Sequence, residues 1–158
     1  IDAWPSGWQK SLIDVQRIPK KAWFEYHDAL SPIITDIRTD RNHYYGGEKL
    51  ALEFWLANDK KAIFKTGELV WEVRIKDKII FANSQEVEIP SVGPKFAGHF
   101  RYQLPKVKKR TPAEIRLALQ HDGEVVHRSK ISVDVFPEIK SKKQEVFSKV
   151  SNSKINPV

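Results

Sequence analysis

The chain has 158 residues, of which 41% are hydrophobic, and carries a formal net charge of +7 with no cysteine and no methionine. That length and apolar fraction suit one domain with a real core, and exclude two full domains or a disordered chain. Without cysteine there can be no disulfide, no thiolate catalysis and no cysteine-based zinc site.

Residues 1–18 have no clear periodicity, and Trp4-Pro5-Ser6-Gly7 reads as a turn. Pro19 stands where a helix favours proline, in its first turn. From Lys20 to Leu30 the residues Ala22, Tyr26 and Leu30 recur at every fourth position, and Trp23 joins that stripe. This spacing predicts an amphipathic helix of about three turns, stopped at Ser31-Pro32 because a residue before proline avoids helical geometry.

The period then changes to two. Ile33 to Asp40 reads as a first strand, and Tyr45-Gly46-Gly47-Glu48 as a turn. Leu50, Leu52, Phe54 and Leu56 alternate with Ala51, Glu53, Trp55 and Ala57, the pattern of a half-buried strand. Asn58-Asp59-Lys60-Lys61 breaks it. Leu69, Trp71, Val73 and Ile75 define the next strand, with Asp77-Lys78 as a tight turn into Ile79–Ala82. Short strands are expected at Val87–Ile89 and Phe100–Leu104, each ended by a proline. Ile115, Leu117 and Leu119 begin another, and His121-Asp122-Gly123-Glu124 reads as a hairpin turn, because Asp-Gly supplies positive φ. Val125–Arg128 and Ile131–Val135 return, and Pro137 ends the series. The fold class expected is all-β: an antiparallel sandwich of about seven to eight strands, preceded by one N-terminal helix. Residues 138–158 are polar and rich in Lys and Ser, and read as a linker or tail.

Little in the sequence points to chemistry. There is no phosphate-binding loop, no Gly-rich dinucleotide turn, no HExxH and no GxSxG. The histidines are His27, His43, His99, His121 and His127; only His121 and His127 flank one hairpin, and with no acidic third ligand they read as surface residues. Glu25 with Asp28, and Glu86 with Glu88, are carboxylate pairs of the kind common on solvated faces. No catalytic, cofactor-binding or metal-binding residue is assigned. Basic clusters at Lys20-Lys21, Lys60-Lys61, Lys106–Arg110 and Lys140–Lys143 sit in no nucleic-acid motif, so they read as solvated surface and no nucleic-acid partner is expected. Apolar runs such as Ile79–Ala82 are too short to cross a bilayer, and residues 1–20 carry no visible signal peptide. The chain starts with Ile, and is expected to be a piece or processed product of a longer one. Its lack of cysteine suits periplasm and cytosol alike, with the periplasmic or secreted reading preferred.

Two tryptophans are distinguishable by face. Trp71 shares its face with Leu69, Val73 and Ile75 and belongs to the core. Trp55 faces the opposite way from Leu52 and Phe54. It is either exposed, as a platform for a sugar ring, or covered by another element such as the helix with Trp23 and Phe24.

The stretches GWQKSLIDVQRIPKKAWFEYHDAL, SPIITDIRTDR and GGEKLALEFWLANDK, over residues 7–60, resemble the end of the catalytic barrel in glycoside hydrolase family 2, the β-galactosidase and β-glucuronidase family. Ile13-Asp14-Val15, Arg17, Pro19-Lys20, Ala22-Trp23-Phe24 and Tyr26 match the segment joining the last barrel strand to the last barrel helix. Arg38-Thr39-Asp40-Arg41, Gly47-Glu48 and Asn58-Asp59 look like a subgroup in which that helix leads into an immunoglobulin-like sandwich. The resemblance implies a last barrel loop and helix at 1–30, an immunoglobulin-like β-sandwich at 31–137, and a tail at 138–158. It implies that Trp23, Phe24 and Tyr26 pack against barrel or sandwich, and that Trp4 lies near the active-site end of the last barrel strand. The family's catalytic glutamates lie upstream, so the chain itself is expected not to be an enzyme. The barrel of the parent chain is the partner implied. The alternatives are a carbohydrate-binding module using Trp55 with Tyr44 or Tyr45, and a free-standing adhesion or protein-interaction sandwich.

Overall fold

In the computed structural model, residues 11–14, 16–60 and 64–138 are described. Trp4 and most of the tail lie outside them. The elements are α1 (Lys21–Ala29), β1 (Ile33–Thr39), β2 (His43–Tyr45), β3 (Lys49–Asn58), β4 (Thr66–Ile75), β5 (Lys78–Glu88), β6 (Gly93–Gln103), β7 (Thr111–His121) and β8 (Glu124–Phe136). They form two sheets, a three-stranded one in the order β1-β3-β6 and a five-stranded one in the order β2-β8-β7-β4-β5. The class is all-β and sandwich-like, as the alternation predicts.

The two inner faces make one core. Leu50, Leu52, Phe54 and Leu56 of β3 are buried with Ile33 and Ile37 of β1. Across from them lie Leu69, Trp71 and Val73 of β4, Ala113, Ile115, Leu117 and Leu119 of β7, and Val133 and Val135 of β8. Each large aliphatic or aromatic side chain so buried contributes about 1.5–3 kcal/mol. An aromatic group ties the sheets together: Phe54 and Trp71 have ring centroids 5.2 Å apart, Trp71 and Phe100 5.6 Å, and Phe81 and Phe100 5.0 Å.

Among the described residues, β4–β5 and β7–β8 are the tight hairpins within a sheet. Their turns carry positive φ at both central residues, Lys76 and Asp77 in the first, Asp122 and Gly123 in the second, the mirror-image turn that matches strand twist. The Asp122-Gly123 turn falls where expected. The other is Lys76-Asp77, not Asp77-Lys78; Lys78 already pairs with Ile75.

Several expectations need correction. Residues 79–82 and 87–88 belong to one long strand, β5, and 125–128 and 131–135 to one long strand, β8. The polar residues that interrupt the apolar pattern lie on both faces: Asn83 and Gln85 pair with Trp71 and Leu69, and Ser129 with Leu117, on the inner side. β2 was not foreseen: its three residues pair in parallel with β8, so the sandwich is not wholly antiparallel, and three residues are too few to show a period. Pro19 lies just before the helix, in a bridge to Ile13, rather than in its first turn.

The orientation of α1 is the larger surprise. None of its residues is buried. Phe24, Tyr26 and Leu30 are 59%, 52% and 66% exposed, whereas Glu25, Asp28 and Ala29 line the hollow toward the sandwich. Ala22, Tyr26 and Leu30 of the apolar stripe face away from the domain, while Trp23 is half-buried. Tyr26→Ser and Leu30→Ser should therefore leave the stability of the isolated chain within about 0.5 kcal/mol, while Phe54→Ala should cost about 3–5 kcal/mol; urea unfolding of the three variants measures both.

Candidate functional site

Three surface regions hold the residues with functional potential. The first is the outer face of the three-stranded sheet. Trp55 stands there between two neighbours. The Arg38 guanidinium of β1 lies over its ring at 4.8 Å, and Phe96 of β6 meets it edge-on at 5.4 Å. Its Nε1–H donates to Glu53 Oε2 at 3.1 Å, and Arg38 is itself held by Asp36 at 2.8 Å. Phe96 continues the row to His99, 4.7 Å away. Trp55 is thus half-covered by its own sheet, and α1 borders the same hollow through Glu25, Asp28 and Ala29.

Phe96 joins this row because of a bulge. Along β6, Tyr102, Phe100 and Gly98 pair with Leu50, Leu52 and Phe54 on the inner face, but Phe96 pairs with Trp55 on the outer face. Ala97 is the extra residue that shifts the phase. Strict alternation would have turned Phe96 inward, which is why the sequence pattern does not reveal it. An aromatic two residues short of a glycine in such a strand is the one available hint.

The second region is the β1–β2 connection. Tyr44 is only 1% exposed and cannot serve as a stacking platform for a sugar, contrary to that alternative. It ties the connection together instead. Its hydroxyl donates to Asp40 Oδ1 at 2.5 Å, Thr39 Oγ1 lies 2.6 Å from it, and the Arg41 guanidinium sits 4.5 Å from its ring centre. The Tyr44 hydroxyl holds the Asp40 carboxyl below the usual carboxylate range, with Arg41 adding to the effect. Burial, and then Asp40 itself, pushes the Tyr44 phenol up. Tyr45 is 41% exposed and leans on Phe136, ring centroids 6.3 Å apart, so it and Trp55 lie on different sheets.

The third region is the seam between β1 and β8, where α1 ends. His127 Nδ1 lies 3.0 Å from the Thr35 backbone N and 3.0 Å from Thr35 Oγ1, and Ser129 Oγ lies 2.9 Å from that same hydroxyl. A hollow of about 970 Å³ opens beside it, with Thr35, Asp36, Trp55, Arg116 and Arg128 among its lining residues. His121, by contrast, stacks on Phe64 at 4.1 Å with its Nδ1 3.1 Å from the Thr66 carbonyl. The two hairpin histidines thus serve separate environments, and among the described residues no three His, Asp or Glu side chains are grouped to hold a metal ion. Glu88 is taken up by Lys95 at 2.7 Å, a contact that lowers its pKa.

No family model and no curated protein matches the chain. Solved structures do. A cycloisomaltooligosaccharide glucanotransferase from a Paenibacillus species, complexed with cycloisomaltoheptaose, aligns with a TM-score of 0.53 and 15% identity, over 67% of this chain and 15% of that one. The sporulation control protein Spo0M of Bacillus subtilis aligns with a TM-score of 0.50 and 13% identity, over 69% and 51% respectively. A glycosyl hydrolase family 2 member from Bacteroides cellulosilyticus aligns at 0.48 and 16%, over 64% of this chain and 15% of that one. At such identities the first two speak for the fold alone, and the third is too loose to add to them. The chain spans about a seventh of the glucanotransferase and about half of the sporulation protein.

Tyr44→Phe should destabilise the chain by about 1 kcal/mol at neutral pH, the low end for a bond to a charged group because Asp40 is largely solvated. Asp40 has a depressed pKa when folded, so its contribution is full above the unfolded value of about 3.9 and lost as pH falls through the folded one. Denaturant titrations at a series of pH values should show the two proteins converging below about pH 4.

Proposed function

We propose that the chain is a non-catalytic accessory β-sandwich module from the C-terminal region of a family 2 glycoside hydrolase, β-galactosidase-like, with the final barrel helix at its N-terminal side. The observation that carries this reading is α1. It is a helix tethered to the sandwich at its C-terminal end, with its apolar stripe of Ala22, Tyr26 and Leu30 turned outward. A barrel's last helix has two obligations: its apolar side belongs to the barrel, and its end joins the next domain. The sequence resemblance over residues 7–60 supports the same reading. The role is structural: the barrel of the parent chain covers Phe24, Tyr26 and Leu30, and the sandwich braces it from outside.

A second reading, carbohydrate binding, is favoured by Phe96, which is 40% exposed beside Trp55. The Arg38 guanidinium already occupies one ring face of Trp55, which narrows the room for a stacked sugar. Titrating oligosaccharides against tryptophan fluorescence separates the readings, since a binding module would show a saturable change.

The native product, probed in source-cell extract and medium with an antibody against residues 31–137, should run several-fold above 18.3 kDa. The purified 158-residue chain should hydrolyse no aryl β-glycoside. A native band near 18.3 kDa with no larger precursor, or turnover by the isolated chain, would overturn the module reading.

A further inference from the structure

His127 lies on the inner face of β8, opposite Leu119 of β7. It sits where β1 runs past β8 without pairing with it, since β1 is the edge strand of the other sheet. The Thr35 amide points out from that edge and donates to His127 Nδ1 at 3.0 Å. A nitrogen that accepts an N–H has no proton, so the ring proton is on Nε2. Nε2 faces the carbonyl oxygen of Asp28 at 3.3 Å, near the end of α1, and donates to it. The Thr35 hydroxyl donates to Ser129 Oγ and leaves the Nδ1 lone pair to the amide. One neutral imidazole thus uses both nitrogens to join β1, β8 and α1.

We propose that His127 is a pH-operated latch, whose protonation at Nδ1 frees the edge of β1 from β8 while α1 stays held through Nε2–H. An imidazolium has a proton on each nitrogen, so the Thr35 N–H would face another N–H where it now meets a lone pair. The backbone edge of β1 loses its acceptor; the new Nδ1–H is left with the Thr35 hydroxyl oxygen at 3.0 Å, and Nε2–H keeps the Asp28 carbonyl. This inference does not depend on the identity of whatever covers α1; it concerns the seam between β1 and β8.

The charges around the ring set the direction. From α1, Asp28 and Glu25 border the hollow, and Asp28 is shared with His27 at 3.3 Å. From β8, Arg128 and Lys130 flank the ring in sequence, and Arg116 of β7 lines the same hollow while pairing with Glu114 and Glu72. From β1, Asp36 and Arg38 neutralise one another. Burial dominates and holds the His127 pKa below its ordinary value, although the Asp28 carbonyl and carboxylate pull it upward. The unfolded chain therefore binds the proton first. The latch contributes fully above about pH 6.5 and is lost as pH falls through the lower folded value.

Imidazole nitrogen NMR on the full chain, with amide hydrogen exchange, tests this. At about pH 7.5, His127 should show the Nε2–H tautomer. As pH falls to about 5, protection at Thr35 should drop, by up to about tenfold per unit of depression in the His127 pKa, while the last turn of α1 and the core amides of β4 and β7 stay protected. His127→Gln, which keeps an acceptor without titrating, should abolish that pH dependence. An Nδ1–H tautomer at neutral pH, or titration of His127 with Thr35 protection unchanged, would overturn the proposal. So would an equal pH dependence in the Gln variant; if that variant fails to fold, the wild-type tautomer and protection measurements decide alone.

Discussion

Phe54 and Trp71 meet at the middle of the sandwich, one from each sheet, with ring centroids 5.2 Å apart. Phe100 closes the group, nearly parallel to Phe54 at 6.2 Å and edge-on to Trp71 at 5.6 Å. This contact sets the spacing of the two layers and the registers that follow from it. Because side chains alternate along a strand, fixing Phe54 inward also fixes Leu50, Leu52 and Leu56 inward and sends Glu53 and Trp55 outward. Fixing Trp71 does the same for Leu69 and Val73, and sends Glu72 and Arg74 outward. There they form a charge ladder with Glu114 and Arg116 of β7. The outer faces of the two sheets therefore differ in character: one is a solvated ion-pair surface, the other carries Trp55 and Phe96.

Trp71 also shows the cost of that arrangement. Its indole nitrogen is buried and has no hydrogen-bond partner among the described residues. In return the ring fills the space between Phe54 and Phe100, and aromatic contacts of this geometry add about 0.5–1.5 kcal/mol each beyond the area they bury. The immunoglobulin-like comparison is apt in this respect: without cysteine, the tryptophan must pack on phenylalanine where antibody domains supply a disulfide.

What the sequence makes legible follows from how local the determining physics is. β3 and β4 are readable because their alternation runs over many residues, and the Asp122-Gly123 turn because its chemistry is local. β2 is not, since its pairing with β8 joins residues some ninety positions apart and leaves no periodic trace. The same limit hides the rest of the candidate regions. Tyr44 looks like an available aromatic until the Asp40 carboxyl and Thr39 hydroxyl are seen to claim its phenol. Phe96 is displaced by a single bulged residue, Ala97. His127 looks like a hairpin surface histidine because Thr35 and Asp28 come to it from the other end of the chain.

The helix is legible in its existence but not in its direction. A stripe of Ala22, Tyr26 and Leu30 says that one face must be covered, and the economical assumption is that the following sandwich covers it. The structure separates those two inferences. The sandwich holds α1 by the Asp28 carbonyl and presents the Glu25 and Ala29 side to the hollow, leaving Phe24, Tyr26 and Leu30 in water. Three large apolar groups on one short helix are an unusual surface for a chain to display by itself. Among the described residues α1 has no fully buried side chain, and the bond that ties its end to the sandwich runs from His127 to the Asp28 carbonyl.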